Sequence, residues 1–317
     1  MLDSTTAAPS VAILMCTYNG EQYLDEQLLS FETQSYPNWK LYVSDDGSKD
    51  GTIALLKDYQ SKWQAKWGEN RLVIINGPRL GFSFNFLSLT CNPDIVADYY
   101  AWSDQDDIWL VDKITRAISQ LQSKDQQRTQ LYCTRTQLID NQKTDIGLSP
   151  LFEKLPSFHN ALVQSIAGGN TMVFNQTLKN DLMIAGPEVK VVTHDWWLYI
   201  VATGCGGEVI YDPQPSLLYR QHDNNLIGSN NSLSARLKRI RMLFEGHFQE
   251  WNDQNTAALQ RLKDHLTTES ATVLSQFQHA RHAWFLLRLY LLSRVGLYRQ
   301  TTLGNLGLIV AAIFKRI

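Results

Sequence analysis

The 317-residue chain has few cysteines, and none of the four (Cys16, Cys91, Cys133 and Cys205) belongs to a CxxC pair. That spacing argues against a disulfide framework or a thiolate metal site, and for free buried thiols in a reducing compartment. Proline and glycine, 9 and 18 residues, are modest, and no repeat or low-complexity tract appears, so a globular protein is expected. Residues 1–10 carry one charge, Asp3, and read as a short flexible tail rather than an export signal. No Ser-His or Cys-His constellation supplies an obvious covalent nucleophile. Nucleic acid is a poor partner, because no binding motif is present and most of the chain is acidic.

The net charge of −2 hides an asymmetry. From Arg236 to Ile317 there are 12 Lys/Arg against 5 Asp/Glu, whereas the preceding residues hold 17 against 26. An acidic body with a basic tail points to two jobs, the second with an anionic partner.

Apolar runs alternate with helical patterns along the body. "VAILMCT" (11–17), "WKLYVS" (39–44), "RLVIIN" (71–76) and "DYYAWS" (98–103) read as strands. Between and after them, helices are expected near 23–31, 52–67, 82–90 and 109–122, and "THDWWLYIVA" (193–202) follows later. This alternation predicts an α/β domain with a mainly parallel sheet, whose ligands sit at the carboxyl ends of strands. Three unusual stretches, "CTYNG", "SDDGS" and "SDQDD", fall at such ends.

The last of these places Asp104, Asp106 and Asp107 within four residues behind an aromatic strand. Three carboxylates cannot all stay ionised in a dry site without a cation. A hard divalent ion, Mg²⁺ or Mn²⁺, is one answer; capping of the following helix is the other. Asp45 and Asp46 suit either a turn at Gly47 or hydrogen bonding to a base or ribose. Thr17, Tyr18 and Asn19 suit a plain turn or a polar rim on which a base stacks.

Taken together, "CTYNGEQYLDEQLLSFETQSYPNWKLYVSDDGSKDGT" (16–52) and "WSDQDDIWLVDKI" (102–114) resemble the family 2 glycosyltransferases of GT-A fold. "HDWW" and "YRQHDNN" are most similar to bacterial rhamnosyltransferases of cell-surface polysaccharide assembly. The resemblance covers roughly residues 11–228. It implies a Rossmann-like mixed sheet flanked by helices over 11–230, and a helical C-terminal region over 231–317. It further implies that Thr17, Tyr18, Asn19, Asp45 and Asp46 line the nucleotide pocket. Asp104-Gln105-Asp106 matches the DxD motif, with Asp106 the main metal ligand and Asp104 on the ribose or the ion. His222 would complete the metal shell, with Arg220 and Gln221 near the diphosphate, and Asp195 would be the general base.

Family members often carry Glu where His194 stands, and His194 itself reads as an ordinary surface or loop residue. Asp107, Gly169, Asn170, Trp196 and Trp197 are candidate donor or acceptor contacts. For the tryptophans core packing competes with that role; Gly168 to Asn170 form either a tight turn or a close backbone approach to donor or acceptor. The implied reaction is inverting and metal-dependent, moving L-rhamnose from dTDP-L-rhamnose, or a sugar from UDP, to a glycan that is lipid-linked; the alternative from another class is a non-catalytic nucleotide- or glycan-binding module on the same fold. A cytoplasmic location at the inner face of the membrane follows, with a homo-oligomer possible.

The tail has two readings. "RLKRIRMLFEGHF" (236–248) is amphipathic, and Arg281, Arg288 and Arg299 fall on one side of a helical pattern that is rich in Leu and aromatics. "NLGLIVAAIFKRI" is too short to span a bilayer. The region therefore either meets anionic lipid peripherally or packs on protein.

Overall fold

A computed structural model describes residues 8–221 and 245–317. Its first strand, β1 (Val11–Thr17), is buried along its whole length, as an apolar run must be when both faces of a central strand are covered. β1 pairs in parallel with β2 (Trp39–Asp45) on one side and β4 (Tyr99–Ser103) on the other, and β3 (Leu72–Asn76) extends the sheet beyond β2. β9 (Val173–Asn175) runs antiparallel between β4 and β6 (Gln130–Thr134), and β10 (Glu208–Asp212) closes the far edge, giving the order β10-β6-β9-β4-β1-β2-β3. The period-two alternation sends Ala12, Leu14, Tyr100, Trp102 and Phe174 into one core and Val11, Ile13, Met15, Tyr99 and Val173 into another.

Helices α1 (Glu21–Glu32), α2 (Thr52–Trp67) and α4 (Lys113–Gln122) cover the second of these faces, and α3 (Phe82–Thr90), the short α5 (Phe158–Ala161), α6 (Gln176–Ala185) and α7 (His194–Gly204) cover the first. Helix α2 stops at Gly68, whose positive φ of 71° turns the chain and lets its N–H reach the Gln64 carbonyl. A smaller sheet, β5 (Ile108–Trp109), β11 (Leu217–Arg220), β7 (Gln137–Ile139) and β8 (Asp145–Leu148), stands beside the main one.

The helix expected from Trp109 begins instead at Lys113. Trp109 is buried and pairs with Leu217 across β5 and β11, and a turn at 111–112 intervenes before the helix. Pro9 and Ser10, placed by the sequence in a free tail, are tied down: Tyr36 donates to the Pro9 carbonyl at 2.6 Å, and the Ser10 N–H to Asp98 at 2.7 Å. All four cysteines are free, as expected.

After residue 244 come α8 (His247–Leu259), α9 (Thr268–His282), α10 (Phe285–Val295) and α11 (Thr302–Ile313). Leu259, Leu262, Phe277, Leu292, Ala311 and Ile317 join the same core as α3 and α7, so this region packs on the sheet domain. Of the expected stripe, Arg281 and Arg288 are not presented to solvent, and Arg299 is half-buried. Arg281 is buried and donates to the Ile317 carbonyl at 2.9 Å and to Asp253 at 2.7 Å. Buried Arg288 donates to the carbonyls of Ala312 (2.7 Å), Ala283 (3.0 Å) and Ile313 (3.3 Å). The Arg288 guanidinium satisfies helix-end carbonyls, which would otherwise be orphaned. Of the amphipathic segment 236–248, residues 236–244 lie outside the described residues.

Candidate active site

The carboxyl ends of β1 and β2 form a hydrogen-bonded rim. Thr17 Oγ1 donates to Asp45 Oδ2 at 3.0 Å, and Asp45 also accepts from the N–H groups of Gly47 (3.1 Å) and Ser48 (2.8 Å) and from the Ser48 hydroxyl. Asp46 accepts from the N–H groups of Arg79 (2.6 Å) and Gly81 (2.9 Å), fixing the turn after β3. Asn19 takes a left-handed φ of 48°, a conformation its short amide tolerates, and its Oδ1 accepts the Lys49 N–H at 2.9 Å. Tyr18 is 56% exposed, its ring available for stacking. Its backbone is clasped twice by Gln105, which accepts from Tyr18 N (2.9 Å) and donates to Tyr18 O (3.1 Å). The residue between the two acids of the DxD stretch thus anchors β4 to the β1 turn.

Asp104 and Asp106 line the cleft below this rim. Burial, then the charges of Asp106 and Asp195, push the Asp104 carboxyl up to about 7. Asp107 is fully buried and faces away from the cleft, accepting the Asn170 amide at 2.5 Å, and its carboxyl lies well above the usual range, mainly through burial. It caps no helix, because α4 starts six residues later. Its counter-charge is Lys113, a residue the sequence reading passed over. Lys113 is fully buried, donates to the Asn170 carbonyl at 2.5 Å and lies 4.3 Å from the Trp109 ring centroid. Burial pulls its ammonium down to about 7, against the pull of Asp107 and Asp104. Its sequence signal was position: with Ile114, Ala117, Ile118 and Leu121 it falls on the buried stripe of α4.

Arg220 was expected on the nucleotide. It is 1% exposed and turned inward, donating to Glu26 at 2.6 Å and to the Asp106 carbonyl at 3.2 Å, 4.7 Å from the Tyr23 ring centroid. It therefore braces the acidic loop from behind. Tyr219, its neighbour, lines the cleft, and burial together with Asp107, Asp104, Asp106 and Asp195 keeps its phenol protonated. It is a second site residue that motif reading missed. His222 lies outside the described residues.

Asp195 enters the cleft from the first turn of α7, with Oδ1 held by the Trp196 N–H at 2.7 Å. His194 is not a surface residue. It is 6% exposed, stacked on Phe86 at 4.0 Å, with Trp102 edge-on at 4.9 Å, and burial lowers its imidazole to about 4. Neither ring nitrogen finds a hydrogen-bond partner among the described residues. Residues 168–170 form the tight turn that was one of the two expectations, with the Thr171 N–H on the Gly168 carbonyl at 3.0 Å, and a Cβ on Gly169 would come within 2.5 Å of His194 Nε2. Trp196 lines the cleft and donates to the Ala161 carbonyl at 2.6 Å, whereas Trp197 is fully buried in the core and does not reach the cleft.

These groups surround one cleft of about 2770 Å³, whose far wall is built by Phe248, Trp251, Arg299 and the α11 residues Leu303, Leu306 and Val310. Asp104, Asp106 and Asp195 line one cleft, and the charges of the other two raise Asp104, which a bound cation would relieve. Among the described residues no group of three or more His, Cys, Asp or Glu side chains is placed to hold a metal on its own. A cation here would share Asp104 and Asp106 with ligand oxygens or with groups outside those residues.

A sequence profile described as "Glycosyl transferase family 2" matches residues 12–177. A dTDP-rhamnosyl transferase, RfbG of Shigella flexneri, is 30% identical over 237 residues, covering 71% of this chain and 78% of its own. Two solved structures share the fold. S. aureus TarS 1–349 in complex with UDP-GlcNAc has a TM-score of 0.56 at 12% identity, covering 97% of this chain and 90% of its own. Mannosyltransferase PcManGT from Pyrobaculum calidifontis, in complex with GDP-Man and Mn²⁺, has 0.51 at 17% identity, covering 98% and 88%. The architecture is that of the GT-A glycosyltransferases.

Proposed function

The chain belongs to glycosyl transferase family 2, and from that premise we propose that it moves L-rhamnose from dTDP-L-rhamnose to a hydroxyl of a growing, lipid-linked cell-surface glycan, with inversion, at the cytoplasmic face of the membrane. The observation that carries the reading is the meeting of Asp195 with Asp104 and Asp106 beneath the Thr17–Asp45 rim in a single cleft. Similarity to a dTDP-rhamnosyl transferase supports the choice of sugar.

In this reading Thr17, Tyr18 and Asn19 cradle the base and ribose, and Tyr18 supplies the stacking face. Asp45 already accepts four donors, so a base N–H joins it by displacing one, and the Ser48 hydroxyl is the movable one. Asp104 and Asp106 hold the divalent cation, Mg²⁺ or Mn²⁺, which supplies Lewis-acid neutralisation of the diphosphate. Asp195, oriented by the Trp196 N–H, takes the proton of the acceptor hydroxyl. The acceptor oxygen forms its bond to the anomeric carbon as the bond from that carbon to the diphosphate oxygen breaks. One displacement without an enzyme nucleophile inverts the anomeric centre. Trp196 and the backbone at Gly169 and Asn170 bound the space for the two sugars.

A thermal-shift panel of dTDP-L-rhamnose, UDP-sugars and GDP-sugars, each with and without Mn²⁺, tests donor and metal together, since ligand binding raises the unfolding midpoint. The largest Mn²⁺-dependent shift is expected for dTDP-L-rhamnose; a larger one for a UDP-sugar replaces the donor. Asp195→Asn should keep that shift while turnover falls by roughly 10²–10⁴. Unchanged turnover removes Asp195 as the base.

A further inference from the structure

Helices α10 and α11 pack on one another, yet much of their apolar surface is uncovered. On and just before α10, Trp284, Leu286 and Tyr290 are 63%, 61% and 59% exposed. On α11, Leu303, Leu306 and Ile309 recur at helical spacing with 63%, 56% and 55% exposure, and Phe314 follows at 56%. Helix α11, "TLGNLGLIVAAI", contains no charged residue, but only Ala311 and Ala312 are buried. A helix apolar on all sides normally lies in a core or in lipid.

Charge selects the missing cover. From Ser270 to Ile317 there is no Asp or Glu and there are six Lys/Arg. Two of these are spent inside the fold, Arg281 on Asp253 and the Ile317 carbonyl and Arg288 on helix-end carbonyls, while Arg294 and Lys315 are exposed beside the apolar face. A second copy seated on the same patch would bring like charges together, because a two-fold contact is self-complementary. An anionic lipid surface meets both features, with Trp284 and Tyr290 as interfacial aromatics. At 11 and 12 residues the helices are far below the ~20 needed to cross a bilayer, and among the described residues no helix is long and apolar enough to do so.

We propose that the α10–α11 pair is an interfacial anchor that sinks its apolar face into an anionic bilayer. Leu303 and Leu306 belong both to this face and to the cleft wall, so the anchor sets the cleft mouth at headgroup level. Its purpose, presenting the cleft to a lipid-linked acceptor, rests on the function proposed above; the lipid contact itself does not.

The test is co-sedimentation of the full chain with vesicles of phosphatidylcholine alone or of phosphatidylcholine and phosphatidylglycerol in equal parts. Wild type should bind the anionic vesicles roughly tenfold or more tightly than the neutral ones. Leu286→Glu with Ile309→Glu, two exposed positions away from the cleft, should lose that binding while keeping the unfolding midpoint and the nucleotide-sugar thermal shift. Arg294→Glu with Lys315→Glu should abolish the preference for phosphatidylglycerol even if the first variant is unstable. Equal binding by wild type and both variants, or absence of wild-type binding, overturns the anchor. A chain that ignores vesicles but dimerises through this patch, becoming monomeric in Leu286→Glu/Ile309→Glu, also overturns it. Loss of nucleotide binding with vesicle binding intact would instead strike at the transferase reading.

Discussion

On the strand-end wall of the cleft, Asp45 gathers four donors and Asp46 two, and the backbone of one turn is hydrogen-bonded to the side chains of the next. On the helical wall, Leu303, Leu306 and Val310 present hydrocarbon, and the polar bonds lie behind them at Arg281 and Arg288. The first wall has fixed positions for groups that need directional contacts, as a nucleotide does. The second offers area without direction, which suits adjustable contact with a chain or a lipid. The same cleft therefore joins a rigid recognition surface to a compliant one.

The harshest way to break this contrast is Asp45→Ala. It leaves the Thr17 hydroxyl and the Gly47 and Ser48 N–H groups short of an acceptor, and should cost about 3 kcal/mol in urea unfolding and abolish nucleotide-induced stabilisation. A loss within about 0.5 kcal/mol would show that the rim is not held by these bonds. Arg288→Met probes the other wall. It removes donors from three carbonyls and should cost about 2 kcal/mol, with the nucleotide thermal shift preserved. Loss of that shift would mean that the walls are not separable.

The gentlest probe is pH. The His194 imidazole protonates near 6.5 when unfolded but only at about 4 when folded, so its contribution to stability is whole above 6.5 and disappears as pH falls towards 4. Asp104 has the opposite sign. Its carboxyl ionises near 3.8 when unfolded and about 7 when folded, so stability falls as pH rises through that range. The two slopes, each up to about 1.4 kcal/mol per pH unit, offset one another between about pH 4 and 6.5. In metal-free buffer His194→Phe, which keeps the stack on Phe86, should make stability fall more steeply with rising pH in that window than in wild type, and Asp104→Asn less steeply, Asp107 contributing the same slope to both. Urea unfolding at a series of pH values reads both, and parallel slopes for the two variants would refute the opposition.

The strand-end wall was legible because its signals are local. Period-two burial marked β1, β2 and β4, and Asn19, Gly47 and the clustered acids sit within a few residues of the strand ends they serve. The surroundings of the long cations were not legible, because a sequence shows a charge but not where its stem leads. Arg220 reaches Glu26 across the fold, Arg288 reaches carbonyls 24 and 25 residues away, and Lys113 lies under the acids among apolar neighbours. Trp197 and His194 share a failing of another kind: a motif marks residues as a group, while helix rotation sends one to the cleft and its neighbour to the core.

The double clasp between Gln105 and the Tyr18 backbone bears on how the specificity of such a cleft can be altered. Position 105 looks like a free spacer between two acids, the natural place to randomise in a directed-evolution library. Its amide instead ties the Tyr18 turn to the loop of Asp104 and Asp106, so under the proposed function reshaping the base pocket also retunes the acids assigned to the diphosphate. Productive variants should arise as paired changes at 18 and 105, and single-site libraries at either position would discard them.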